Sequence, residues 1–271
     1  MKILQIDLKK VIQEKSNLLA KIPFFVPWLK KTIHEDEINV FLRDNSHLYN
    51  LDFVTAVLEF FQVHVETIVL HPEAIDPQGR YIFAANHPLG GLDGMAFIKA
   101  VSSMFTEIKF PVNDILLHLE NVNSLFLPID KHGKLQSREA VQKINEAYAS
   151  KTQQMLIFPA GLVSRKIQGE IVDLPWKDHF IKKAIETQRD IIPVYIEGRN
   201  SERFYRLSKW RKRFGLPNIE MLYLPDEVFR QRNKTIKIIF GKPISYKTFT
   251  KKSAQSDADY VKNKVYELNS H

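Results

Sequence analysis

The segment Phe83-Ala84-Ala85-Asn86-His87-Pro88-Leu89-Gly90-Gly91-Leu92-Asp93-Gly94 sets a histidine and a carboxylate on one short turn. A neutral imidazole can take a proton from a hydroxyl or amine through one ring nitrogen. A carboxylate on the other nitrogen fixes the tautomer and stabilises the cation that forms. Pro88 removes a ladder donor, so the strand behind His87 should stop there. Gly90 and Gly91 permit positive φ and a sharp reversal. Asp93 then opens a helix, and the turn can return its carboxylate to the His87 ring. No serine stands in this segment, so the nucleophile would be the substrate itself and the chemistry direct acyl transfer. Two other readings fit the same spacing. Asp93 could be only an N-cap, with His87 a polar strand-end residue, or the backbone amides of the loop could hold a phosphate. Neither Gly-Lys-Ser/Thr nor G-x-G-x-x-G is present in the loop, which counts against a nucleotide site.

Two later segments also follow apolar runs. In Ile157-Phe158-Pro159-Ala160-Gly161-Leu162-Val163-Ser164-Arg165, Pro159 turns the chain and Gly161 lets backbone approach a ligand. Arg165 either grips a phosphate or carboxylate through its fork of donors or is a surface arginine after a turn. In Asp190-Ile191-Ile192-Pro193-Val194-Tyr195-Ile196-Glu197-Gly198-Arg199-Asn200-Ser201, Arg199 either meets a ligand or caps the turn. Lys131, after Leu127-Pro128-Ile129-Asp130, reads as a solvated lysine, and His34, His47, His64 and His118 lack metal-ligand spacing and read as structural.

These residues must be positioned by the elements around them. Strand-like runs occur at 63–70, 80–85, 110–112, 125–129, 154–158, 191–196 and 235–240, with helical periodicity at 93–105, 137–150 and 177–188 between them. Such alternation indicates an α/β domain with a largely parallel sheet, in which ligands bind at the carboxyl ends of strands. Ahead of it, residues 7–20 read as an amphipathic helix with Lys9, Lys10 and Lys15 on its polar side, interrupted by Pro23 to Pro27. Helices are expected near 35–44 and 51–62, the second capped by Asn50.

Composition bounds the rest. The chain has 271 residues, 44% of them apolar and 26% charged, the profile of a folded globular protein. The absence of cysteine excludes a disulfide scaffold, a zinc ribbon, an iron–sulfur site and a thiol nucleophile. A net charge of +8 favours an acidic partner. No apolar run reaches the roughly 18 to 20 residues that span a bilayer, and the start of the chain lacks the pattern of a secretory signal. A cytoplasmic protein touching the inner face of the membrane is expected. The segment from Arg203 to Phe214 mixes six cations with four aromatics. With Phe24, Phe25 and Trp28 it could form a face for an anionic membrane. A solvated helix is the next reading and a nucleic-acid surface the least favoured.

Asn86-His87 followed by Asp93 resembles the first motif of the glycerolipid acyltransferases, the lysophospholipid acyltransferase superfamily, in which the histidine is the general base and the aspartate its partner. The usual spacing leaves four residues between them, whereas Pro88 to Leu92 make five here. This longer loop resembles a bacterial hemolysin-like branch related to the acyltransferases of ornithine and glycine lipids. Phe158-Pro159-Ala160-Gly161 resembles that superfamily's Phe-Pro-Glu-Gly-Thr-Arg motif, with Ala160 in place of the glutamate and the arginine displaced to Arg165. The change implies an acceptor headgroup other than lysophosphatidate. Pro193-Val194 resembles the last motif, which shapes the acyl groove, and Phe240-Gly241-Lys242-Pro243-Ile244 resembles the family's Gly-x-Pro-Ile ending.

The resemblance spans about residues 35–245. With the helical patterns around it, the expected division is a helical, membrane-contacting segment over 1–62, an acyltransferase domain over 63–245 as the resemblance implies, and a C-terminal helix over 246–271. The resemblance implies transfer of a fatty acyl group from an acyl carrier protein or coenzyme A thioester to a lyso-lipid acceptor of the aminolipid type, with no bound cofactor or metal. His87 and Asp93 would be catalytic. Asn86, Gly90, Gly91, Pro159, Gly161, Ser164, Arg165 and Arg199 would contact substrate, and the amides near Gly90 and Gly91 would steady the oxyanion. The competing readings are a lysophosphatidate acyltransferase and a non-catalytic protein that binds lipid or nucleic acid.

Overall fold

The computed structural model describes residues 24–113, 119–129, 138–215 and 218–270. The expected helix over 7–20, His118 and Lys131 lie outside these residues. The central sheet has seven strands: β1 (His64–Val69), β2 (Tyr81–Ala85), β3 (Ile108–Asn113), β4 (Phe126–Ile129), β5 (Gln154–Ile157), β8 (Asp190–Ile196) and β9 (Thr235–Phe240), in the order β1-β9-β8-β2-β5-β3-β4. All neighbouring strands are parallel except β8 and β9. The strand expectations therefore fall within a few residues of the observed elements.

The strand β2 lies between β8 and β5, and every one of its residues is buried. Its side chains alternate between two cores, as the period of two in a strand requires. Phe83 and Ala85 join a cluster with Phe97, Phe110 and Phe240, while Ile82 and Ala84 join Trp176, Ile181 and Val261 on the other face. The first cluster lies under α3 (Asn50–Phe60) and α4 (Leu92–Ser102), and the second under α5 (Arg138–Ala149), α6 (His179–Thr187) and α9 (Ala254–Glu267).

The N-terminal helices α1 (Phe25–Thr32) and α2 (Glu35–Asp44) precede α3. Pro27 does not break the chain, because it sits in the first turn of α1, where its missing N–H costs nothing. Asn50 is the first residue of α3 and not its cap; its side chain instead accepts the Ser124 hydroxyl. The expected boundary at residue 62 is no break in packing: Leu42, Phe53, Val54 and Leu58 share one core with Phe83 and Phe240.

A hairpin, β6 (Arg165–Ile167) and β7 (Glu170–Val172), follows the second candidate loop. Its Gln168-Gly169 turn has φ of 52° and 95°, the two-positive pattern that matches strand twist. The cation-rich segment is the helix α7 (Glu202–Arg213), begun by Ser201, whose hydroxyl accepts the Phe204 N–H, and α8 (Leu224–Phe229) follows. Among the described residues no helix is long and apolar enough to cross a membrane.

The shared core makes α3 part of the α/β domain. Phe53→Ala is expected to lower stability by roughly 3 to 5 kcal/mol in denaturant unfolding, and a chain beginning at residue 63 should show no cooperative melting. Parent-like melting of that shortened chain would contradict the packing argument.

Candidate active site

The strand β2 delivers Asn86 and His87 to the carboxyl edge of the sheet. Asn86 is buried and extends the β2–β8 pairing by one side-chain rung: its Nδ2 donates to Ile196 O at 2.9 Å, and Ile196 N–H donates to its Oδ1 at 2.7 Å. Its expected role as a substrate contact is thereby replaced by a structural one. Beyond it, His87 Nδ1 lies 2.9 Å from Asp93 Oδ2. Because a carboxylate only accepts, Nδ1 carries the hydrogen, and Nε2 is left as the basic nitrogen. Among the described residues Nε2 has no hydrogen-bond partner. The ring stacks on Phe158 with centroids 4.0 Å apart and 16° between planes, and Phe158 in turn packs on Phe97 and Phe110.

Asp93 has no exposed surface. Burial alone would push its carboxyl up, but the His87 imidazole and the N–H groups of Leu89 and Gly90 outweigh burial and hold it below the usual carboxylate range. Oδ2 accepts Leu89 N–H at 2.8 Å and Gly90 N–H at 3.2 Å, and Oδ1 accepts Gly94 N–H at 2.9 Å. This folding of the loop around the carboxylate demands glycine at one position. Gly90 has φ of 101°, and a Cβ there would stand 2.9 Å from Leu224 Cδ2. Gly91, expected to share that role, has φ of −127° and room for a Cβ. The Gly90 N–H, expected to face an oxyanion, is taken by Asp93.

The second loop turns at Pro159 and Gly161, with Gly161 N–H donating to Phe158 O at 2.9 Å and φ of 66° at the glycine. Pro159 is buried, and its carbonyl accepts Lys177 N–H at 3.2 Å. Ser164 and Arg165 were expected to meet a ligand, and both are spent inside the protein. Ser164 Oγ donates to Asp173 Oδ1 at 2.5 Å. Arg165 is 6% exposed and pairs with the wholly buried Glu220 at 2.9 Å, which also holds Arg211 at 3.0 Å. A buried carboxylate needs its cations, so Arg165 is not free to grip a headgroup. In the third loop, Gly198 lets Leu89 pack against backbone, a Cβ there falling 2.8 Å from Leu89 Cγ. Arg199 is exposed and paired with Glu202 at 2.6 Å, and it lines a cleft of about 290 Å³ with Leu89, Glu197 and Lys234. Leu89 connects that cleft to the His87 loop.

Sequence reasoning missed Phe158 beneath the imidazole and Asp173 behind His87. The first had a signal in its place at a strand end one loop away. The second had none, since an acidic side chain separated from His87 by 86 residues is brought to it only by the fold.

A histidine with Nδ1 held by a buried carboxylate and Nε2 without a protein partner among the described residues, at the carboxyl edge of a mostly parallel sheet, has the arrangement that a general base requires. The model of the Acyltransferase family matches residues 10–271, and the chain belongs to that family. It is 43% identical over 268 residues, 97% of either chain, to the lyso-glycine lipid O-acyltransferase of Bacteroides thetaiotaomicron. It is 41% identical over 271 residues to the lyso-glycine lipid O-acyltransferase of Phocaeicola vulgatus, covering 98% of this chain and 96% of that one. The solved structure of the 1-acyl-sn-glycerophosphate acyltransferase PlsC from Thermotoga maritima aligns with a TM-score of 0.47 and 16% identity, over 97% of this chain and 95% of that chain.

Asp93→Asn is expected to cut kcat on the order of 10³-fold or more, because an amide cannot hold the imidazole cation or the Nδ1–H tautomer. It should also cost about 1 to 3 kcal/mol of stability by turning an amide N–H toward the N–H groups of Leu89 and Gly90. The stability that Asp93 supplies is present above its unfolded-state pKa and lost as pH falls through its lower folded value, so the gap between parent and Asp93→Asn in denaturant midpoint should close in acid. A gap independent of pH would contradict the assigned charge.

Proposed function

We propose that this acyltransferase moves a fatty acyl group from an acyl carrier protein or coenzyme A thioester to the hydroxyl of a lyso-aminolipid of the glycine lipid type. The His87–Asp93 pair, at 2.9 Å, is the observation that carries the reading. The names of the two relatives at 43% and 41% identity over nearly the whole chain support the acceptor. His87 Nε2 takes the proton of the acceptor hydroxyl as its oxygen attacks the thioester carbonyl. Asp93 stabilises the imidazolium. The tetrahedral intermediate then expels the thiolate, and the imidazolium returns the proton to the sulfur. Phe158, half-buried and stacked on the imidazole, gives the reacting carbonyl an apolar neighbour. The arginine that a lysophosphatidate acceptor would call on is occupied by Glu220, which disfavours that acceptor.

The acceptor and product are lipids, and the same reading has the enzyme work on an anionic membrane. Support comes from aromatics and cations gathered on one side. Trp28 of α1 packs on Tyr223 at 5.9 Å, and Arg203 of α7 lies 4.5 Å over the same ring. Phe24, Trp28, Trp210, Phe214 and Leu222 are exposed around them. Rings favour the headgroup zone and cations favour anionic lipid.

With purified protein and an acyl thioester, thiol release should depend on lyso-glycine lipid and fall to background in His87→Ala while that variant still melts cooperatively. Faster turnover with lysophosphatidate, or parent-rate transfer by His87→Ala, would contradict the proposal. Reversing Lys209 and Arg213 to glutamate should weaken sedimentation with anionic vesicles by at least about tenfold, at about 1 kcal/mol per cation near the surface. Equal binding of parent and variant would remove the membrane face.

A further inference from the structure

Both backbone polar groups of His87 are held by the two ends of one hairpin. His87 O accepts Ser164 N–H at 2.8 Å, and His87 N–H donates to Asp173 Oδ1 at 3.2 Å. Ser164 precedes β6 and Asp173 follows β7, and the Ser164 hydroxyl closes the circuit on the same Oδ1 at 2.5 Å. Oδ2 of Asp173 accepts Trp176 Nε1–H at 2.8 Å. The backbone of Asp173 is itself fixed to α9: its N–H donates to the Tyr266 hydroxyl at 2.7 Å, and its carbonyl accepts Lys262 Nζ at 2.8 Å. Asp173, Ser164 and Trp176 are each at most 2% exposed, so water cannot substitute for any of these bonds.

An imidazole at the end of a strand takes its direction from its own backbone, from its side-chain partner and from the ring it stacks on, here Phe158. Asp93 sets the rotation of the ring, but Asp93 sits on the same loop and would move with it. The peptide groups on either side of the His87 Cα are located by a different part of the chain, through Asp173. We infer that Asp173 is a positioning residue for acyl transfer: it fixes the His87 backbone against the β6–β7 hairpin and α9, so that Nε2 meets the acceptor hydroxyl in a reactive geometry. The carboxylate touches no substrate. Burial raises its carboxyl above the usual carboxylate range, and the donors Ser164, Trp176 and the His87 N–H offset only part of that.

This inference rests on His87 being the general base, so the test carries His87→Ala beside Asp173→Ala and Asp173→Asn in one steady-state assay with acyl thioester and lyso-glycine lipid. Displacement of a reacting group by about 1 Å costs on the order of 100-fold. Asp173→Ala should therefore lower kcat by about 10- to 100-fold with both KM values within about twofold of the parent. Asp173→Asn keeps one acceptor oxygen for the His87 N–H and should fall between the two, at about 3- to 10-fold. A residue that served folding alone would lower the melting temperature but leave kcat per folded molecule unchanged, and that result overturns the inference. Should Asp173→Ala fail to fold, Asp173→Asn decides alone: a kcat loss at constant KM supports the inference, and parent kcat refutes it. Parent-rate His87→Ala would instead refute the general base, whereas inactive His87→Ala with parent-like Asp173 variants would refute only the role of Asp173.

Discussion

A carboxylate cut off from water stays charged only where donors surround it, and the loop after β2 is built to surround Asp93. Its oxygens collect N–H groups from Leu89, Gly90 and Gly94 and the Nδ1–H of His87. The path that brings those donors inward needs a left-handed residue at Gly90, and the space beside that residue is filled by Leu224 of α8 and Val163 of the second loop. Pro88 ends the ladder, Asn86 fastens the strand end to β8, and Leu89 packs against Gly198. Each of these would be a weak preference alone. Together they are what a buried charge demands, and the charge in turn fixes which nitrogen of His87 bears hydrogen.

The parts of this arrangement that were legible in the sequence are local ones. His87 and Asp93 share one turn, so spacing, a proline and a glycine pair were enough to bring them together. The central strands showed as short apolar runs because burial on both faces leaves no alternation to blur them. Arg165 was misread for a physical reason: its partner Glu220 lies 55 residues on, and nothing near an arginine in sequence says whether a ligand or an internal carboxylate will take it. Asp173 was invisible on the same ground. Gly91 was credited with a conformation that only Gly90 adopts, since a pair of glycines does not reveal which one carries the turn.

The second loop departs from the motif it resembles. Ala160 is buried where the resembled motif carries a glutamate, and the arginine that follows has joined an interior ion cluster in which Glu220 holds both Arg165 and Arg211. That cluster ties the hairpin after the loop to α7, the helix rich in exposed cations. The His87 loop is therefore braced from two sides, by the Glu220 cluster toward α7 and by Asp173 toward α9, while His87 Nε2 is left without a protein partner among the described residues.

The assignment of the proton on His87 is the claim from which the chemistry follows, and nitrogen-15 NMR of imidazole-labelled protein reads it directly. At a pH where His87 is neutral, the account requires the proton on Nδ1, with a strongly deshielded hydrogen-bonded signal that disappears in Asp93→Asn, and an unprotonated Nε2. A neutral ring protonated on Nε2 would leave no base facing the acceptor and would contradict it.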